Sequence, residues 1–161
     1  YRVLTAPIRD PFEEGRALWW TYPVDRDVLD ECAAAITGKH DFTAFTPTQT
    51  EHVRFDRRVL RSEWIAEAIS ADPAAPGREA EEAGRLLVYE IQADAFMRSM
   101  IRVLVGTMLE AAAGRRTVEE FVALLDGAPR ERAGETAPPH GLYFTGVTYG
   151  DGPAFEHPAS T

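Results

Sequence analysis

One arginine stands out by its company. Residues 100–109 are apolar on nearly every side of a helix, and Arg102 lies inside that run. A helix apolar all round belongs inside a fold. A guanidinium cannot shed its charge by deprotonating, so once withdrawn from water it needs a partner. Arg98 precedes Arg102 by one turn, and Gly106 follows it by one turn, leaving open space on one side. The next acid along the helix, Glu110, lies two turns away, too far for a pair on the same face. Two readings stay open. Arg102 is aimed at a carboxylate or phosphate in a site, or it makes a structural ion pair or snorkels to the surface.

Two phenylalanines offer a second kind of chemistry. Phe42 and Phe45 flank small residues in a loop that begins near His40. Aromatic rings in such a loop can stack on unpaired bases, at roughly 1–3 kcal/mol per base. The same spacing also suits a hydrophobic anchor that holds a loop to the core. His40 and Asp41 are adjacent, but no serine or cysteine nucleophile pattern accompanies them. The histidines, at 40, 52, 140 and 157, lack ligand spacing, so no metal is expected. No phosphate-binding glycine loop is present. Cys32 falls on the apolar face of a helix, without an activating neighbour.

Charge pulls in two directions. The formal net charge is -9, which disfavours a polyanionic partner. Yet of the 17 lysines and arginines all but Lys39 are arginine, the residue suited to planar, bidentate phosphate contacts. An acidic surface is also one way to stay soluble at high salt. Local arginines, Arg58 and Arg98 among them, remain able to hold RNA beneath a net negative charge.

The elements that must position these residues can be read from pattern. A chain of 161 residues, 45% hydrophobic and 27% charged, fits one domain with a real core. No apolar run approaches the ~20 residues of a membrane-spanning helix, and a cytoplasmic protein is the default expectation. Residues 1–4 read as a strand, and a strand needs a partner for its backbone groups. The chain is therefore expected to be a piece of a longer protein. An irregular connection over 6–24 leads to a helix over 25–37, with Asp25 as its cap and Gly38 as its stop. A loop over 39–53 precedes a long strand over 55–68. A solvated loop over 70–85 joins it to a strand over 86–93, where Leu87, Tyr89 and Ile91 alternate with more polar positions. Helices follow over 97–113 and from Thr117 to Gly127, the second opened by a capping box of Thr117 and Glu120. A last strand is expected over 142–149. The order predicts an α+β fold, an antiparallel sheet with helices packed on one face. One domain spans 1–150, with a loose tail over 151–161.

Three stretches carry a family resemblance. Residues 95–107 (AFMRSMIRVLVGT), 38–45 (GKHDFTAF) and 141–149 (GLYFTGVTY) resemble the helix, loop and closing strand of the tRNA pseudouridine synthase A family. Tyr1-Arg2-Val3 with Pro11-Phe12 is similar to a further segment, although Val3 replaces the usual aromatic and 70–85 looks like an insertion. The likeness runs to about residue 150. It implies the C-terminal half of an enzyme built from two similar α+β halves, whose sheets join and leave an RNA-binding cleft between them. It also implies isomerisation of uridine to pseudouridine in the anticodon arm of tRNA, at nucleotides 38 to 40, without metal or organic cofactor.

The family's catalytic aspartate belongs to a GRTDxGVHA motif of the first half, which this sequence lacks. The resemblance thus implies that this chain alone is inactive. Its expected partners are tRNA, the N-terminal half of the same protein and a second copy in a homodimer. Carried over by position, Arg102 would pair with that aspartate. Tyr1 would lie against the target base, as a stacking partner or proton-transfer group, and Leu142 would close an apolar wall. The residue reading adds Phe42, Phe45, Arg58 and Arg98 as tRNA contacts. Two alternatives are a stand-alone RNA-binding or dimerisation module of the same fold, and a plain α+β interaction domain.

Overall fold

The computed structural model describes residues 1–49, 53–68 and 85–148. The expected loop at 70–85, apart from Arg85, and the expected tail at 151–161 lie outside the described residues. Five strands form one sheet: β1 (Arg2–Leu4), β2 (Leu18–Trp19), β3 (Gly38–Asp41), β4 (Asp56–Ala68) and β5 (Arg85–Ala93). Their order across the sheet is β2-β1-β5-β4-β3. All pairs are antiparallel except β1 with β2, which run parallel through Val3 and Leu18. The sheet is therefore mixed, where an antiparallel one was expected. The chain leaving β1 crosses the sheet before β2, and so returns along the same direction.

The β4–β5 ladder is the backbone of the domain, and its alternation sets which side is wet. Trp64 pairs with Tyr89, and their rings lie 5.0 Å apart on the buried face. Such ring pairs add about 0.5–1.5 kcal/mol beyond burial alone. Leu87 shares that face, while Arg61, Glu63 and Glu90 take the other. Part of the second face is covered too. Leu4, Ala6, Ala17 and Leu86 form a small cluster there, because the connection over 5–17 folds across it.

Three helices pack on the buried face. The helix α1 (Arg26–Ile36) is capped by the Asp25 carboxylate, which accepts from the Asp27 and Val28 N–H groups. It turns Leu29, Cys32, Ala33 and Ile36 inward. The helix α2 (Met100–Ala112) is the centre of the core, with Met100, Leu104 and Met108 fully buried. The helix α3 (Val118–Val122) opens with the expected capping box and continues as a 3-10 turn over Ala123–Leu125. No helix among the described residues is long and apolar enough to cross a membrane.

Two elements differ from expectation. β3 lies where a loop was expected, since Gly38, Lys39, His40 and Asp41 have no apolar alternation to mark an edge strand. Conversely, residues 142–148 do not form a strand. The far edge of β1 is already taken by β2. This last segment instead runs near the sheet edge, with the Tyr143 hydroxyl donating to the Arg16 carbonyl at 3.1 Å. Its Phe144 is 82% exposed.

Candidate active site

The N-terminal end of α2 opens a cleft. The chain leaves β5 at Asp94, whose carboxylate accepts from the backbone N–H groups of Arg58 and Ala95. That turn swings residues 96–99 over the end of the sheet. Ser99 then enters α2 with a φ of 61°, a left-handed conformation unusual for a side chain larger than glycine. Strain of that kind gathers at functional sites. The result is a cleft of about 370 Å³, lined by residues 96–102, Pro139 and Leu142. Its volume falls within the ~300–1,000 Å³ typical of ligand pockets.

Arg102 stands in the wall of this cleft, half-buried. Its Nε donates to the Ala137 carbonyl at 2.6 Å, and the Ala137 N–H donates back to the Arg102 carbonyl at 3.0 Å. No carboxylate among the described residues forms an ion pair with it. The charge is thus held in place by a backbone carbonyl, with no counter-charge among the described residues.

Tyr1 is tied to the next carbonyl along. Its hydroxyl donates to Pro138 O at 2.5 Å, and its ring is 6% exposed. Burial pushes the Tyr1 phenol up to about 12, against a smaller opposing pull from Arg102. Tyr1 is therefore a neutral donor at ordinary pH. It stands one layer behind the residues that line the cleft. Leu142 lines the cleft itself and is 38% exposed. Arg98 lines it too and is exposed. Arg58 is exposed on β4, joined through its backbone to Asp94 at the root of the same turn. Arg102, Arg98 and Leu142 thus share the cleft, Tyr1 is tied to the Pro138 carbonyl beside it, and Arg58 is joined to Asp94, where the turn begins.

Phe42 and Phe45 are not part of that group. Both are 0% exposed, so neither offers a ring face to a base. They lie 5.9 Å apart, and Phe45 meets Phe121 at 6.0 Å. This corrects their reading as tRNA contacts: the loop turns inward because its 3-10 turn over Thr43–Phe45 is set by the Asp41 carboxylate, which accepts from the Thr43 N–H and hydroxyl. The loop still serves the cleft from below. The buried Thr46 hydroxyl reaches Met97 Sδ at 3.3 Å, and Met97 lines the cleft.

Sequence reasoning missed Ser99, Phe96, Met97 and Pro139. The Pro138-Pro139 pair was a visible signal of a fixed backbone. The left-handed Ser99 left no trace in residue type.

Known proteins share this arrangement of sequence. The pattern that defines the tRNA pseudouridine synthase family matches residues 32–150. The tRNA pseudouridine synthase A of Thermus thermophilus is 33% identical over 150 residues, which is 92% of this chain and 53% of that protein. The enzyme of the same name from Halalkalibacterium halodurans is 34% identical over 142 residues, 88% of this chain and 48% of its own length. That from Bacillus pumilus is 31% identical over 149 residues. The chain spans about half the length of the curated relatives it matches. The matched region carries α2 with Arg102, the loop that supports Met97, and Leu142. By that shared region the chain belongs to the tRNA pseudouridine synthase family.

Proposed function

We propose that this chain is the C-terminal half of an enzyme that isomerises uridine to pseudouridine in the anticodon arm of tRNA, at nucleotides 38 to 40. The observation that carries the reading is the state of Arg102. It is half-buried, fixed through Nε by the Ala137 carbonyl, and without a carboxylate among the described residues. The guanidinium N–H groups not spent on that bond are free to take a carboxylate from outside this chain. The family's catalytic aspartate, carried by the portion of the relatives that this chain does not span, is that partner. Paired with Arg102, it stays ionised and oriented for attack.

The target uridine leaves the stack and enters the cleft, with Leu142 as an apolar wall. The aspartate attacks the nucleoside, the C1′–N1 bond breaks, the base turns and bonds to C1′ through C5, and the aspartate is released as the C5 proton is lost and N1 gains one. Tyr1 contributes a neutral hydroxyl behind the cleft. Arg58 and Arg98, both exposed and near the turn at Asp94, hold tRNA phosphates. The isomerisation calls for no metal or organic cofactor. The enzyme acts in the cytoplasm, joined to its own N-terminal half and as a homodimer.

The test is pseudouridine mapping on tRNA after incubation with the full-length protein and, separately, with this 161-residue chain. The full-length protein is expected to modify the anticodon arm, and the chain alone to modify nothing. Activity of the chain alone would overturn the role given to the external aspartate. Inactivity of the full-length protein would overturn the enzyme reading.

A further inference from the structure

We propose that residues 134–141 form a positioning strap that sets the Arg102 guanidinium and the Tyr1 hydroxyl at a fixed separation, with Glu110 as the residue that anchors it. The inference rests on the proposed function, because it concerns the two polar groups assigned to that site.

Both groups donate to the backbone, and to consecutive residues of it. Arg102 Nε uses the Ala137 carbonyl and the Tyr1 hydroxyl uses the Pro138 carbonyl. Their relative position is thus governed by one stretch of main chain. That stretch is stiff. Ala137 precedes Pro138, and Pro138 precedes Pro139, so both residues are biased away from helical conformation toward an extended one. Pro138 itself sits at φ -55° and ψ 152°. A proline ring fixes φ, so the two carbonyls turn little.

The strap is fastened along α2 at three points. The Ala137 N–H donates to the Arg102 carbonyl at 3.0 Å. The Gly134 N–H donates to the buried Thr107 hydroxyl at 3.0 Å, and that hydroxyl donates to the Val103 carbonyl. The Glu135 N–H donates to Glu110 Oε1 at 3.0 Å, and Arg116 approaches the other Glu110 oxygen at 3.5 Å. Close approach at each end needs glycine. The space expected beside Gly106 is not open: a Cβ there would run into the Glu135 carbonyl, so the strap itself fills it, and a Cβ at Gly141 would sit 2.9 Å from the Tyr1 ring. Glu110 lies two helical turns from Arg102 and touches no part of the cleft. It acts through the strap, so it is a positioning residue.

The experiment compares full-length wild type with Glu110→Ala and Glu110→Gln. Turnover on tRNA is measured alongside NMR titration of the Tyr1 phenol, labelled with ¹³C and assigned by Tyr1→Phe. Glu110→Ala is expected to lower kcat about tenfold at unchanged KM, since small misplacements of reacting groups are costly. It is also expected to shift the Tyr1 phenol down, toward its ordinary value, as a loosened strap lets water reach the hydroxyl that burial now holds neutral. Glu110→Gln keeps an acceptor for the Glu135 N–H and is expected to restore both. Should Glu110→Ala fail to fold, Pro138→Ala carries the same test, because it removes no hydrogen bond, lies outside the cleft lining and frees the backbone whose carbonyls hold both groups. The strap is overturned if Glu110→Ala, or Pro138→Ala in its place, leaves kcat and the Tyr1 titration at wild-type values. If wild type makes no pseudouridine, the functional reading falls instead, and the Tyr1 titration alone decides for or against the strap.

Discussion

Arg61 and Arg102 make the clearest comparison in the molecule. Arg61 lies exposed on the open face of the β4–β5 ladder, where water could satisfy it. It nevertheless has two carboxylates, with Nε donating to Glu63 at 2.5 Å and a second nitrogen 3.2 Å from Glu90. Arg102 is half-buried in the most apolar helix of the chain, where a counter-charge matters far more, and none of the described carboxylates pairs with it. Surface ion pairs contribute little to stability. A buried charge without a partner is costly. Exposed Arg61 has two carboxylates, whereas half-buried Arg102 holds a backbone carbonyl and has no carboxylate among the described residues. Such an imbalance is expected where the partner arrives from another part of the protein.

Three variants or titrations break or sharpen this contrast. The largest stability effect is expected beneath the Arg102 end, at Phe45→Ala. Removing a fully buried ring costs about 3–5 kcal/mol. Urea denaturation checks it. If Phe45 contacted tRNA instead, tRNA affinity would fall while stability held, and the floor assigned to the cleft would be wrong.

The Tyr1 phenol comes next. Its folded value, raised by burial from 10.0 to about 12, exceeds the unfolded one. The stability it supplies is therefore complete below about pH 10 and lost as pH rises through about 12. Tyr89 is pushed up by burial as well. Denaturation midpoints of wild type and Tyr1→Phe across that range separate the two. Wild type is expected to lose more stability with pH than Tyr1→Phe. The smallest effect is expected at Arg61→Gln, at most ~1 kcal/mol in stability and no change in turnover. A large loss of activity there would erase the contrast with Arg102.

Much of this was legible in residue order. The α1 cap at Asp25, the capping box of Thr117 and the alternation at Leu87, Tyr89 and Ile91 are local signals, and they hold in the fold. Arg102 was legible as an oddity because its neighbours are apolar. What stayed hidden depends on distant partners. β3 lacks alternation and exists because β4 pairs with it. The segment 142–148 has the alternation of a strand but no free edge beside β1. Phe42 and Phe45 have the same spacing whether they face solvent or core, and only the inward turn at Asp41 decides. The strap is the extreme case. Its prolines were visible, but its bonds to Tyr1 and Arg102 join residues far apart in sequence.

The central claim is that Arg102 serves a partner brought by the rest of the protein. Its most direct test is Arg102→Leu in the full-length protein, with turnover, tRNA affinity and thermal midpoint measured side by side. The account predicts that turnover falls by about 10²–10³-fold or more, as expected when a charge aimed at the reacting groups is removed. tRNA affinity and the thermal midpoint should stay close to wild type. Turnover within tenfold of wild type would contradict it, and Arg102 would then be a structural residue of α2.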